Sequence, residues 1–129
     1  MAPKTILLVD PHKDSRVVYA TMLSRSGFQV LEAADDEEGL RIARMQGPDL
    51  ILTELFPWNR SGKMLPERLR ETRETESIPV IALTAHILVE DWAQVLGRCC
   101  SRVLTKPCGP RRVLEEIEGV VFSSRIPAA

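Results

Sequence analysis

Short apolar segments alternate along the chain with longer segments in which polar and apolar residues recur at helical spacing. The short segments are rich in β-branched residues and predict five strands, at residues 5–9, 28–31, 50–53, 80–83 and 102–105. Three of them contain apolar runs without alternation, at residues 6–9, 50–52 and 80–83. Such runs are typical of parallel strands covered on both faces, so we expect helices on both sides of the sheet.

The longer segments predict five helices, at residues 12–26, 36–46, 61–75, 87–96 and 111–121. Residues at helical spacing along the first helix are Ser15, Val18, Met22 and Ser26. Gly27 is suited to a left-handed stop after this helix. Either Asp35 or Asp36 can cap the second helix, and Gly47 followed by Pro48 must end it. The Arg and Glu residues of 67–76 predict a solvated face of the third helix with intrahelical ion pairs.

Each crossover between predicted strands is long enough for the right-handed βαβ connection. Five such units predict an α/β fold, a doubly wound (βα)5 domain with three layers. Functional sites in sheets of this kind lie outside the carboxyl ends of the strands. The residues that follow each strand are therefore the first place to look for chemistry.

Four polar side chains follow strands of the predicted sheet. Asp10 follows the first strand, Glu54 the third, Thr84 the fourth and Lys106 the fifth, while Glu32, at the end of the second, adds charge with Asp35 and Asp36. Carboxylate oxygens suit Mg²⁺, and an ammonium group beside a hydroxyl suits a phosphoryl group. The set outlines a carboxylate nucleophile for phosphoryl transfer. The alternative is a static ion network in which Lys106 pairs with Asp10 and Glu54.

Composition and charge narrow the functional class. The 129 residues suit one domain, and 17 basic against 18 acidic residues give a net charge of -1, which offers no electrostatic signal for nucleic acid or an anionic membrane. The apolar run at 6–9 is too short for a signal peptide or a membrane span, so a cytoplasmic protein is expected. The three cysteines, Cys99, Cys100 and Cys108, have no metal-ligand spacing and are expected to be reduced thiols.

Five motifs together resemble the receiver domains of bacterial two-component response regulators. They are Ile6-Leu7-Leu8-Val9-Asp10, Pro48-Asp49-Leu50-Ile51-Leu52-Thr53-Glu54-Leu55, Ser61-Gly62, Ile78-Pro79-Val80-Ile81-Ala82-Leu83-Thr84-Ala85-His86 and Val103-Leu104-Thr105-Lys106-Pro107. The resemblance covers about residues 4–122, in order and without large gaps. It implies a flavodoxin-like sheet of order 2-1-3-4-5 and a cis peptide bond between Lys106 and Pro107.

The resemblance also assigns roles to individual residues. Position 54 is the phosphoacceptor, Thr84 and Lys106 contact the phosphoryl group, and Mg²⁺ is held by Asp10, Glu54 and the backbone carbonyl of Phe56. The family implies a signalling module, not a metabolic enzyme. Its partners are histidine kinases, phosphotransfer proteins or effector proteins.

The sequence departs from the family pattern at the acceptor site. Glu54 replaces the acceptor aspartate, and Pro11 replaces the second member of the acidic pair that holds Mg²⁺. Val103 stands where many members carry an aromatic switch residue, Pro57-Trp58 replaces a common Met-Pro pair, and Ser61 replaces an aspartate. Val103 cannot make the ring rotation of an aromatic residue, so any conformational switch must use another element.

The departures at Glu54 and Pro11 are both expected to weaken phosphorylation. The extra methylene of Glu54 moves the carboxylate by roughly 1 Å, a misplacement that can cost about 10²-fold in a site dependent on alignment. Pro11 brings no side-chain oxygen, so the Mg²⁺ site is expected to be weak or absent. Glu54 either imitates an aspartyl phosphate or only forms a salt bridge to Lys106. Two alternatives stay open, a Mg²⁺-dependent receiver phosphorylated on Glu54 and a flavodoxin-like ligand-binding or redox protein.

The expected interaction surface is the face formed by the fourth helix, the fifth strand and the fifth helix, including Trp92. A homodimer through this face is an open alternative. Trp58 either covers the site, contacts a partner or has a simple packing role, and His86 is favoured as a loop residue at the site rim over a proton donor. Only residues 123–129 follow the fifth helix, so we expect a single receiver domain over 1–129 without an output domain, which acts on a partner in trans.

Overall fold

The computed structural model describes residues 2–55, 63–85 and 90–123, with side chains except at 90–92 and 123. Its five strands are β1 (Thr5–Val9), β2 (Gln29–Ala33), β3 (Leu50–Glu54), β4 (Val80–Thr84) and β5 (Arg102–Thr105). Its helices are α1 (Lys13–Arg25), α2 (Asp36–Gln46), α3 (Leu65–Leu69), α4 (Glu90–Cys99) and α5 (Pro110–Ser123). All strand pairs are parallel and the sheet order is β2-β1-β3-β4-β5, which confirms the predicted doubly wound fold.

Alternate residues of each central strand face opposite helical layers. On one face, Ile6 and Leu8 of β1 belong to a buried cluster with Tyr19 and Leu23 of α1 and Ile117 of α5. On the other face, residues of β1, α2 and α3 form a second cluster, which includes Leu7, Val9, Leu40, Ala43, Leu65 and Leu69. This double coverage explains why the strands are apolar without alternation. Among the described residues, no helix is long and apolar enough to cross a membrane.

The boundaries of α2 follow the predicted signals. The Asp35 carboxylate accepts a hydrogen bond from the Glu38 N–H at 2.8 Å, as an N-cap residue does. Gly47 ends α2 with a φ of 56° and Gly27 follows α1 with a φ of 95°. Both values lie in the left-handed region that glycine adopts without steric cost, so these predicted stops are confirmed.

The residues at helical spacing along α1 differ in burial, since Met22 packs against a buried cluster and Val18 does not. Val18, placed at helical spacing with Met22, is 52% exposed, and the neighbouring Val17 is 51% exposed. The buried side chains of α1 are Tyr19 and Leu23. The Tyr19 ring packs in one cluster with strand residues and with Ile117 of α5. Tyr19 and Leu23 therefore define the buried side of α1.

The predicted third helix at 61–75 is too long, because α3 ends at Leu69 and a series of turns follows. Residues 61 and 62 lie outside the described part. Arg70 explains the turns, since its guanidinium donates to the carbonyl of Cys99 at 3.0 and 3.1 Å and to the carbonyls of Thr75, Glu76 and Ile78. A planar fork of five donors can satisfy several carbonyls that a helix would otherwise pair internally.

The predicted solvated face of that helix is therefore wrong in part. Arg68 pairs with Glu37 of α2 at 2.6 Å, and Arg70 holds backbone carbonyls, so neither makes an intrahelical pair. The fourth helix also differs, since α4 runs to Cys99 instead of ending at residue 96; residues 87–89 lie outside the described part. Strand β2 reaches Ala33, so Glu32 lies within the strand and not beyond it.

Candidate functional site

The strand register brings the predicted site residues to one edge of the sheet. Val9 pairs with Thr53, so Asp10 and Glu54 follow at adjacent positions of β1 and β3. Thr84 pairs with Thr105, and the Lys106 N–H donates to the Thr84 carbonyl at 2.7 Å. Because parallel strands end at the same edge, the predicted convergence of Asp10, Glu54, Thr84 and Lys106 is present in the structure.

Asp10 is held by the backbone around it. Its side chain is buried, with the residue only 1% exposed, and its Oδ1 accepts a hydrogen bond from the His12 N–H at 2.8 Å. Its N–H donates to the Ala33 carbonyl at 3.0 Å, and its own carbonyl accepts from Arg16 Nη1 at 2.7 Å. The carboxylate is thus fixed at the edge of the sheet with one oxygen committed to the loop before α1.

Glu54 and Lys106 form an ion pair at the centre of the site. Lys106 Nζ lies 2.9 Å from Glu54 Oε1, and the Glu54 side chain is 10% exposed. The peptide bond between Lys106 and Pro107 is cis, as the resemblance implied. The other oxygen of Glu54, Oε2, is buried and has no hydrogen-bond partner among the described residues. One half of this carboxylate is therefore neutralised and the other half is not.

The carboxylates of Asp10 and Glu54 repel each other at this edge of the sheet, which makes a negative charge on Asp10 less favourable. Burial raises the pKa of Asp10 above its ordinary value, and the nearby Glu54 carboxylate raises it further. The His12 N–H and the Lys106 ammonium act in the opposite direction on the Asp10 pKa. Burial and like charge prevail, so the Asp10 pKa is raised overall and the charged form of this carboxyl group is less stable than in a free aspartate.

The donor set fits a divalent cation. Asp10 and Glu54 each offer a carboxylate oxygen, His12 offers a ring nitrogen, and these ligand atoms all lie within 4.8 Å of one another. A cation would also satisfy the buried Glu54 Oε2. Asp10 and Glu54 are the residues that would hold Mg²⁺, since it prefers oxygen ligands. The third predicted ligand, the Phe56 carbonyl, lies outside the described residues.

Arg16 is a site residue that the sequence analysis missed. Besides the Asp10 carbonyl, it contacts Glu32 Oε1 through Nε at 3.1 Å. It therefore ties α1 to the ends of β1 and β2. The available signal was an arginine on the first helix together with Glu32, the acidic residue that the sequence analysis placed near this edge of the sheet.

The other predicted features have mixed outcomes. Val103 is partly buried and packs against the cluster of Leu55, Met64, Ala82 and Leu96. Trp58 and His86 lie outside the described residues, as does the side chain of Trp92. The large apolar side chains that are exposed in the described part are Val17, Val18, Met45 and Phe122, so α4 contributes none of them and α5 contributes Phe122.

Replacing Asp10 with Asn should stabilise the protein against unfolding in metal-free buffer. The amide keeps an acceptor for the His12 N–H and removes a buried charge beside Glu54, so we expect a gain of roughly 0.5–2 kcal/mol near neutral pH. Because the Asp10 pKa is raised in the folded state, the wild type loses stability as the pH rises through that pKa. The gain should therefore vanish below the ordinary pKa of 3.8 and be complete above the raised value.

Urea denaturation at several pH values measures this difference. The control is Asp14→Asn, since Asp14 is exposed in the first turn of α1 and its carboxylate favours the helix N-terminus. A destabilised Asp10→Asn variant, or a gain that grows toward acid pH, would contradict the assigned role of burial.

Comparisons with known proteins agree with the fold. The family model of the response regulator receiver domain matches residues 6–118. PhoB, the phosphate regulon transcriptional regulatory protein of Pseudomonas aeruginosa, is 32% identical over 121 residues, which cover 94% of this chain and 53% of PhoB. The chain thus spans about half the length of this relative.

Two further relatives match over nearly their whole length. The polar-differentiation response regulator DivK of Brucella anthropi is 28% identical over 116 residues, covering 90% of this chain and 94% of DivK. The crystal structure of a response regulator from Desulfuromonas acetoxidans superposes with a TM-score of 0.81 at 30% identity, covering 92% of this chain and 96% of that one. Together with the converging strand ends and the cis Lys106–Pro107 bond, these matches show that the chain belongs to the response regulator receiver domain family of two-component signalling.

Proposed function

We propose that this receiver domain acts by binding a protein partner and that ordinary phosphoryl transfer to position 54 is impaired. The observation that carries the proposal is the Glu54–Lys106 ion pair, with Nζ 2.9 Å from Oε1. It places a longer carboxylate at the acceptor position, with one of its two oxygens paired to Lys106. Because the chain belongs to the receiver domain family, we do not retain the alternative of a flavodoxin-like ligand-binding or redox protein.

The geometry explains why phosphorylation would be slow. A carboxylate nucleophile must lie in line with the phosphoryl donor, and a displacement of roughly 1 Å can cost about 10²-fold in rate. Glu54 would also have to give up or share its contact with Lys106. Mg²⁺, when bound by Asp10 and Glu54, neutralises charge on phosphoryl oxygens, but Pro11 supplies no further carboxylate for it. Thr84 and Lys106 would contact the phosphoryl oxygens, as they do in the family pattern.

The partner would be a histidine kinase, a phosphotransfer protein or an effector protein, bound in trans. We assign it to the surface formed by α4, β5 and α5. The charged positions of this surface include Arg102, which contacts Glu116 at 3.2 Å, and Arg112, which contacts the same carboxylate at 2.9 Å. Val103 supports the proposal, since this position holds no aromatic ring that could report phosphorylation to the surface.

One observation favours a second function, a Mg²⁺-dependent receiver phosphorylated on Glu54. Glu54 Oε2 is buried without a partner among the described residues. That oxygen is a nucleophile candidate, because it has no donor to hold it while Lys106 orients the other oxygen. The two functions differ in whether a phosphoryl group is ever attached.

Incubation of the purified full chain with acetyl phosphate and Mg²⁺, followed by intact-mass measurement, separates the two functions. We expect no phosphoryl adduct on the wild type under conditions that fully phosphorylate an ordinary receiver domain. The matched variant Glu54→Gln should give the same unmodified mass. A stoichiometric adduct on the wild type that is lost in Glu54→Gln would establish the second function and overturn the proposal.

A further inference from the structure

The His12 imidazole lies beside the two carboxylates of the site. His12 is the N-cap residue of α1, with an extended backbone at φ -88° and ψ 109°. Its N–H donates to Asp10 Oδ1 at 2.8 Å, and its Nδ1 lies 3.8 Å from the same oxygen. The hydrogen bond from the backbone thus holds the ring at the rim of the site.

Three ligand atoms from different parts of the fold converge there. One oxygen from Asp10, one oxygen from Glu54 and one ring nitrogen of His12 lie within 4.8 Å of one another. They come from the ends of β1 and β3 and from the first residue before α1, so the sheet and the helix both fix their separation. Small rotamer changes would bring the atoms to the spacing of ligands around one cation.

A second observation indicates that this cluster takes a cation. The Glu54 side chain is nine-tenths buried, and its Oε2 has no hydrogen-bond partner among the described residues. A buried carboxylate oxygen that lies near a second carboxylate, Asp10, carries a cost of desolvation and repulsion that a bound cation removes. Lys106 does not remove this cost, because its ammonium group lies on Oε1.

We propose that Asp10, His12 and Glu54 form a mixed nitrogen and oxygen site that prefers first-row transition cations such as Ni²⁺ and Co²⁺ to Mg²⁺. Mg²⁺ takes oxygen ligands and gains little from an imidazole, whereas Ni²⁺ and Co²⁺ bind imidazole well. Pro11 removes a carboxylate from the site and His12 adds a nitrogen to it. The inference rests on the proposed function in one respect, because it names the cation that the altered acceptor site would hold.

Isothermal titration calorimetry of the full chain with NiCl₂ and with MgCl₂ tests the site. We expect one Ni²⁺ per chain, bound on the order of 10²-fold or more tightly than Mg²⁺. Burial raises the pKa of Cys100 to about 12 and also raises that of Cys99, so these thiols stay protonated and compete poorly for the metal. With Co²⁺, the visible absorption band of the bound ion should report nitrogen ligation directly.

The decisive variant is His12→Gln, which keeps the backbone N–H that binds Asp10. It should weaken Ni²⁺ binding roughly tenfold or more and change Mg²⁺ binding less than about twofold. The matched control is His86→Gln, the other histidine of the chain, which should leave Ni²⁺ binding unchanged. An unchanged Ni²⁺ affinity in His12→Gln, or a loss seen only in His86→Gln, would overturn the assignment.

The outcome is separable from that of the proposed function. If His12→Gln leaves Ni²⁺ binding intact while acetyl phosphate still gives no adduct, the metal assignment fails and the proposed function stands. If the wild type is phosphorylated on Glu54 while His12→Gln loses Ni²⁺ selectivity, the proposed function fails and the metal assignment stands.

Discussion

The double variant Pro11→Asp/Glu54→Asp should be phosphorylated by acetyl phosphate in Mg²⁺ at least about 10²-fold faster than the wild type. Shortening residue 54 by one methylene withdraws its carboxylate from Lys106 Nζ, which lies 2.9 Å from Glu54 Oε1. Aspartate at position 11 adds a second carboxylate next to Asp10 and restores an acidic pair for the cation. Lys106 and Thr84 are already at the edge of the sheet, so no other residue needs to change.

Intact mass against time, with and without Mg²⁺, measures the gain. Each single variant is a control, since Pro11→Asp retains the long carboxylate and Glu54→Asp retains the reduced metal site. We expect Glu54→Asp to recover more of the rate than Pro11→Asp, because Mg²⁺ tolerates several water ligands while the nucleophile must be aligned. A double variant as inert as the wild type would show that the impairment lies elsewhere in the site.

The fold could be predicted from the sequence because its signals are local and repeated. Uninterrupted apolar strands at 6–9, 50–52 and 80–83 require cover on both faces, and the structure supplies it with two buried clusters. The cap at Asp35 and the left-handed residues Gly27 and Gly47 fix helix ends without reference to distant parts of the chain. The convergence of site residues follows from the same logic, since parallel strands end together.

The features that could not be predicted depend on contacts between distant residues. The end of α3 at Leu69 depends on Arg70, which reaches the Cys99 carbonyl across 29 positions of sequence. The inward face of α1 depends on where Tyr19 fits between the sheet and α5. The place of the His12 ring depends on the backbone angles after Pro11. Spacing along the chain contains none of this information.

The Glu54–Lys106 pair is a structural contact as well as a feature of the acceptor position. Asp10 and Glu54 lie close enough to repel, and Lys106 is the cation that the described residues place on Glu54. Removing the lysine would leave the carboxylates of Asp10 and Glu54 without the positive charge of its ammonium group. The coupling energy of the pair therefore measures how strongly Lys106 stabilises the charge of Glu54 in the folded protein.

Lys106→Met should destabilise the protein by about 2 kcal/mol, because breaking a mostly buried pair leaves the Glu54 charge uncompensated beside Asp10. Methionine keeps much of the lysine stem, so packing is little changed. In a Glu54→Gln background the same substitution should cost less than about 0.5 kcal/mol, since no charge is left unpaired. Lys13→Met, at an exposed position of α1, is the matched control and should stay within about 0.5 kcal/mol of the wild type. Urea denaturation of the wild type, Lys106→Met, Glu54→Gln and the double variant gives the coupling energy between Lys106 and Glu54. Equal losses of stability from Lys106→Met in both backgrounds would mean that the lysine stabilises the fold by packing and that it does not neutralise Glu54.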